Sequence, residues 1–237
     1  MKFPILLPNI FDHPFTYESD KNLKVGDYVK VPFGKSKITG VVWNEFEKKN
    51  SKNFKLKTVL KKLNVTPLKE TTIKFLNWFA EYNIIPKGMA LKLVLLSNNA
   101  VEKFQSDTFK VFNTDIKTNL IQLSEEQRNS LKKMNISNDK FRVHVLQGTT
   151  GSGKTMVYFS GLKEIINKGF QGLILLPEIG LTSQFEKKFL EFFGITPAVW
   201  HSGISKKKKE VIWSGVANGE IKVVIGARSS LFLPFKK

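Results

Sequence analysis

The chain has 237 residues and a mass of 27.0 kDa, which at about 150 residues per domain allows one large domain or two small ones. Hydrophobic residues make up 41% and charged residues 24%, a balance that excludes global disorder. No apolar run reaches the ~18 residues of a membrane-spanning helix, so no membrane partner is expected, and Pro4, Pro8 and Asp12 make the N-terminus a poor signal peptide. There is no cysteine, which excludes disulfides and thiolate metal sites in this sequence and fits a cytoplasmic setting. The net charge is +18, and residues 1–118 and 119–237 each carry +9. Thirty-five of the 38 bases are lysine, beside Arg128, Arg142 and Arg228. AT-rich codon usage accounts for lysine over arginine but not for base over acid. The excess points to a polyanion, nucleic acid first.

In chain order, residues 1–65 read as β-rich. Val25 to Val31 and Ile38 to Trp43 form strand patterns on either side of the turn Pro32-Phe33-Gly34, and Lys55 to Leu63 suits a further strand. Residues 70–82 switch to helical spacing, with Ile73, Leu76, Phe79 and Ala80 on one face, and Pro86-Lys87-Gly88 reads as the end of that helical region. Residues 97–119 are polar and mixed, the best linker candidate. Beyond it, Ser124-Glu125-Glu126-Gln127 is a capping box opening a helix to about Met134. A β-run over Arg142–Gln147, a Gly-rich turn and a helix to about Lys168 follow. Strands are then expected at Gly172–Leu176, Ala198–His201 and Lys222–Ile225, with helices to Phe193 and over Lys206–Ala217 between them. Such alternation implies a parallel sheet covered on both faces. The four tryptophans (Trp43, Trp78, Trp200, Trp213) and His144 sit among apolar neighbours and read as core.

Gly148-Thr149-Thr150-Gly151-Ser152-Gly153-Lys154-Thr155 fits G-x-x-x-x-G-K-[ST] at every defined position. Glycines let backbone N–H groups turn inward around a phosphate. Lys154 is expected to reach the β and γ phosphates, Thr155 to bind Mg²⁺ through its hydroxyl, and the following helix to point its N-terminus at the anion. Lys154 and Thr155 are therefore the candidate catalytic pair, in a site for a nucleoside triphosphate. Gln127, upstream, either reads an adenine edge or serves only its capping box. Lys206–Lys209 is either a DNA-facing stripe or a solvated helix face.

The run Leu175-Leu176-Pro177-Glu178-Ile179-Gly180-Leu181-Thr182 resembles the segment that follows the P-loop in superfamily 2 helicases. Its LLPEI-x-LT form is that of the PriA family of replication-restart helicases. His201-Ser202-Gly203 and the run from Val224 to Phe235, which contains GARSSLFLPF, extend the likeness, and Phe15-Thr16-Tyr17 with Val31-Pro32-Phe33-Gly34-Lys35 resemble that family's small DNA-binding domain. The resemblance implies an α/β chain: a β-rich 3′-end DNA-binding domain over 1–96, a linker over 97–119, and a first RecA-like lobe over 120–237. It implies an ATP-dependent 3′→5′ DNA helicase acting on forked and single-stranded DNA at stalled forks, with Mg²⁺. Primosome proteins and single-strand-binding protein are the implied partners, and zinc is expected only in a C-terminal part beyond this sequence. Pro177, Glu178 and Thr182, and likewise Gly226, Arg228 and Ser229, would touch the single-strand backbone. Phe15, Thr16, Tyr17, Gly34 and Lys57 would form the pocket for a strand's 3′ end.

Residue by residue, other roles stand beside these. Phe15 and Tyr17 also suit barrel core, and Arg228 also suits a surface ion pair. The family usually carries an acid where this chain has Thr16, so the hydroxyl of a 3′ end would meet an uncharged acceptor. The stretch 97–119 is too short for a winged-helix domain. The sequence ends at Lys237, before the acidic DEEH-type motif and the second lobe, so it reads as an N-terminal piece expected to bind nucleotide weakly and hydrolyse little. The rival readings are another superfamily 2 DNA translocase, a non-catalytic ATP- and DNA-binding module and, more distantly, a P-loop kinase.

Overall fold

The computed structural model describes residues 1–46, 55–95, 101–102, 122–134, 136, 141–177 and 183–236. The chain divides into two compact units, the first Met1–Phe109 with Ser202–Glu220 and Leu231–Lys236, the second Lys110–His201 with Ile221–Ser230 and Lys237.

The first unit is built on a curled six-stranded sheet. Its strands are β1 (Lys2–Leu6), β2 (Phe15–Glu18), β3 (Tyr28–Phe33), β4 (Ser36–Val42), β5 (Lys57–Thr58) and β6 (Lys61–Lys62), in the order β5-β2-β1-β4-β3-β6. All neighbours run antiparallel except β2 and β5. Pro4 does not interrupt β1: it has no N–H to leave unpaired, and its carbonyl accepts from Trp43 N–H at 2.8 Å. β3 and β4 pair from Tyr28↔Val41 to Phe33↔Ser36, leaving Gly34 and Lys35 as the turn, with Gly34 at φ 57°. The inward alternation of Ile5, Leu7, Tyr17, Val29, Val31 and Val42 supplies the core, joined by Leu23 and Val59. The buried Asp27 carboxylate is held by Lys24 N–H at 2.7 Å and Lys62 Nζ at 2.6 Å.

Two helices follow, α1 (Glu70–Tyr82) and α2 (Lys87–Leu95). α1 buries Ile73, Leu76 and Ala80 of the expected stripe, and Phe79 is half-buried. Pro86-Lys87-Gly88 does not end a helical region but opens a second helix. Proline suits a helix start because no donor is needed there, and the Asp12 carboxylate accepts the first free N–H, that of Lys87, at 2.9 Å. Trp78 is not core. It is 54% exposed and stacks on Tyr82, one turn on, with ring centroids 5.2 Å apart. Trp43, Trp200 and Trp213 are buried.

The first unit also takes in helix α6 (Lys206–Asn218), far along the sequence. Its N-cap is Ser205, whose hydroxyl accepts from Lys208 N–H at 3.3 Å. Lys206, Lys207 and Lys208 are exposed. On the opposite face, the Trp213 indole N–H donates to the Val94 carbonyl at 2.7 Å and the ring meets Tyr28 edge-on at 6.1 Å. Phe232 packs against Phe75 and Phe79 of α1 at 5.6 and 4.9 Å.

The second unit holds α3 (Glu125–Met134), α4 (Lys154–Asn167), β7 (Gly172–Leu175), α5 (Ser183–Phe193), β8 (Ala198–Trp200) and β9 (Val223–Gly226). The three strands are parallel in the order β7-β9-β8, as the alternating pattern requires. Phe159 and Ile166 of α4, Phe189, Phe192 and Phe193 of α5, and Val223 and Ile225 of β9 form its core. Phe189 and Phe193 stack at 4.3 Å, one turn apart. Arg142–Gln147 is not a strand. Phe141, Val143 and Val145 are 94%, 73% and 87% exposed, and no described strand pairs with them. Strand propensity yields a strand only where a neighbour takes its backbone groups and side chains. His144 is exposed for the same reason. Most of the expected linker, and the segment 178–182, lie outside the described residues.

Candidate functional site

The phosphate cradle forms in the second unit. Gly151 and Gly153 take φ of 85° and 78°, so the chain doubles back between Gly148 and the start of α4. Gly153 is the N-cap of α4, and no side chain caps that end, which leaves the first-turn amides available to an anion. The Lys154 ammonium folds back over the loop and donates to the carbonyls of Gly148 at 2.6 Å and Thr149 at 2.7 Å. Ser152 N–H closes the turn on the Thr149 carbonyl at 3.3 Å. Gly148, Thr149, Thr150, Gly151 and Ser152 are exposed, and Lys154 and Thr155 half-buried. The Thr155 hydroxyl accepts from Tyr158 Oη at 3.4 Å.

Gln127 is joined to this loop. Its Oε1 accepts from Ser124 N–H at 3.0 Å, and its own N–H donates to the Ser124 hydroxyl at 3.2 Å. The capping box is therefore formed. Its Nε2 also donates to the Ser152 carbonyl at 3.2 Å. A β-carbon on residue 153 would meet that amide, the flexible tip of a side chain, so the requirement for glycine there rests on its φ of 78°.

These residues fit a triphosphate: an uncapped helix start, two left-handed glycines and one cation donating to neutral carbonyls. Among the described residues no cluster of three or more His, Cys, Asp or Glu could hold a metal ion; the cradle's described oxygen-bearing side chains are the hydroxyls of Thr149, Thr150, Ser152 and Thr155.

The segment after β9 is a short 3-10 helix, Arg228–Phe232. Gly226 is buried. Its carbonyl accepts from Leu176 N–H at 3.0 Å, and a β-carbon there would meet Ser230 Oγ at 2.7 Å and the Trp200 carbonyl at 2.9 Å. Arg228 and Ser229 are exposed, and the Ser229 hydroxyl accepts from the Trp200 indole N–H at 3.2 Å. Pro177 is exposed, just past β7. Glu178 and Thr182 lie outside the described residues.

In the first unit, strand pairing sets some of the expected end-pocket residues side by side, while Thr16, between Phe15 and Tyr17 on β2, alternates to the other face. Tyr17 is opposite Lys57, and Phe15 lies 5.2 Å from Phe33, which adjoins Gly34. Tyr17 itself is 4% exposed and its hydroxyl donates to the Pro32 carbonyl at 3.1 Å. Burial pushes its phenol pKa up from the ordinary value of 10.0, so it stays a neutral donor. Phe15 and Thr16 are half-buried, Gly34 and Lys57 exposed. Motif reading missed Phe11 and His13, which join Phe15 and the motif residue Phe33 in one cluster of rings. The available signal was the close spacing of Phe11, His13 and Phe15 in sequence; the bend at Asp12 and His13 gathers their rings.

Comparison with known proteins divides the chain in a similar way. The family described as 3'DNA-binding domain (3'BD) matches residues 4–96, and the family described as type III restriction enzyme, res subunit, matches residues 120–237. The replication restart protein PriA of Rickettsia conorii is 38% identical over 234 residues, which is 98% of this chain and 35% of that protein. The Rickettsia felis protein of the same name is 39% identical over 235 residues with the same coverage. The Bacillus subtilis one is 36% identical over 137 residues, 57% of this chain and 16% of that protein. The chain thus spans about a third of the length of the Rickettsia relatives it matches. A 3′-DNA-binding fold and a P-loop unit in one chain, with that identity along 98% of it, place the chain in the PriA family of replication restart proteins.

Proposed function

We propose that the chain is the part of a replication-restart helicase that grips the 3′ end of a DNA strand and holds the phosphates of ATP. The observation that carries this reading is the P-loop geometry in a chain whose residues 4–96 match a 3′-DNA-binding domain. The division is 1–96 for the end-binding domain, 97–119 for the linker and 120–237 for the first helicase lobe. The backbone amides of the cradle and Lys154 would hold the phosphates, and Thr155 would ligate Mg²⁺. When bound, the nucleotide and its metal would supply the phosphoryl group and the charge that drive translocation. Phosphoryl transfer also needs a water orienter and a charge-stabilising arginine, so this chain alone is expected to turn over little ATP. Arg228 and Ser229 would meet the strand's phosphates, and the segment with Pro177, Glu178 and Thr182 would touch the single-strand backbone, with the buried Gly226 shaping the turn. Forked DNA, primosome proteins and single-strand-binding protein are the proposed partners.

Fluorescence anisotropy tests the end pocket. A duplex with a free 3′ end is expected to bind at least about tenfold tighter than a closed dumbbell of equal length, with both affinities falling steeply as salt rises. Equal binding would reduce this unit to a nonspecific basic surface.

Thr16 makes the second test. With a neutral acceptor, 3′-hydroxyl and 3′-phosphate ends are expected to bind alike. Thr16→Asp is expected to weaken the phosphate end several-fold more than the hydroxyl end, by like-charge repulsion. A phosphate end that binds the Thr16→Asp protein as well as it binds the original would remove Thr16 from the pocket.

A further inference from the structure

The loop between β1 and β2 carries an aromatic ring that the motifs leave unassigned. Phe11 lies 5.2 Å from Phe15, 5.8 Å from His13 and 6.1 Å from Phe33, while His13 and Phe15 are 4.8 Å apart. Phe15 and Phe33 pack on the core of the sheet. Phe11 does not belong to that core and is 38% exposed. It is nonetheless fixed in place. Its N–H donates to Asn9 Oδ1 at 3.0 Å and its carbonyl accepts from Gly88 N–H at 3.1 Å. The next residue, Asp12, accepts from Lys87 N–H at 2.9 Å. An exposed ring pinned at its backbone loses little freedom when a planar partner lands on it.

The surroundings select that partner. The hairpin that brings Phe33 also carries exposed Lys35 and Lys37, and exposed Lys57 pairs beside Tyr17. Aromatic faces next to lysines are the combination that binds single-stranded nucleic acid, rings taking bases and ammonium groups taking phosphates. An apolar peptide would use the rings and leave the cations idle.

We propose that Phe11, backed by His13, is a second base-stacking position of the end pocket, taking the nucleobase next to the terminal one. This rests on the end-binding reading above. The test uses 2-aminopurine at the terminal or the penultimate position of a 3′ overhang. Wild-type protein is expected to quench both. Phe11→Leu keeps an apolar side chain and removes the π face. It is expected to lose penultimate quenching, keep terminal quenching, weaken binding about tenfold and leave the salt slope unchanged. Phe11→Tyr is expected to restore both signals. Full penultimate quenching and unchanged affinity in Phe11→Leu would overturn the proposal, and so would equal loss at both positions without rescue by tyrosine. Wild-type protein that ignores a free 3′ end would instead sink the end-binding reading itself, so the two failures are distinguishable.

Discussion

Lys154→Ala is expected to lower affinity for ATP by about 30- to 100-fold, the equivalent of one charge-assisted hydrogen bond to phosphate. The ammonium sits over two loop carbonyls at 2.6 and 2.7 Å, so it is already inside the cradle and needs only to exchange neutral acceptors for an anion. That exchange is favourable because a phosphate adds the attraction of opposite charges to the hydrogen bond, which a neutral carbonyl does not. Lys154→Arg is expected to be a poor substitute, since a planar fork does not replace a compact charge in a tight turn. Titration with a fluorescent ATP analogue measures the effect. The same variant should leave discrimination for a free 3′ end unchanged, because the end pocket lies in the other unit. Unaltered nucleotide affinity in Lys154→Ala would remove the loop from phosphate binding.

The second large effect is on stability. Trp213→Ala is expected to destabilise the chain by about 3–5 kcal/mol, the usual cost of emptying a buried aromatic site. The indole is buried, touches Tyr28, and is the donor to the Val94 carbonyl at 2.7 Å. Its loss leaves both a cavity and an unsatisfied acceptor. Trp213→Phe separates the two: it keeps most of the volume and should cost about 1–3 kcal/mol, largely the orphaned carbonyl. Equilibrium denaturation in urea reads both values. Set against a total of about 5–15 kcal/mol for a domain, the alanine variant should be partly unfolded at physiological temperature. A loss below about 1 kcal/mol would mean that the site collapses around the smaller side chain.

Much of this architecture was legible in the residues themselves. The helical stripe of α1, the capping box at Ser124 and the P-loop each depend on neighbours within one or two turns, and local chemistry decides them. What escaped depends on distant partners. Arg142–Gln147 has the composition of a strand, but no described strand runs beside it, and the ladder rather than the composition makes a strand. Pro86 reads as a terminator because proline ends helices. It opens α2 because Asp12, more than seventy residues upstream, supplies the cap for Lys87. Trp78 has core chemistry but lies off the buried stripe of Ile73, Leu76 and Ala80. At the candidate sites, the motifs named the cradle and the neighbourhood of Phe15. They could not show that the Tyr17 hydroxyl is committed to Pro32 or that the Phe11 backbone is pinned, since both follow from hydrogen bonds made by folding.

The seat of Trp213 bears on how the chain is made. Tyr28 and Val94 emerge early from the ribosome, yet the indole that covers them lies 119 residues beyond Val94. At about 5–20 residues per second, translation delivers it on the order of ten seconds later. Phe75 and Phe79 wait longer still for Phe232. Throughout that interval the nascent first unit has an open apolar socket. A gene fragment stopping near codon 96 would keep that socket open permanently, and its product should be markedly less soluble than the same domain made with residues 202–236.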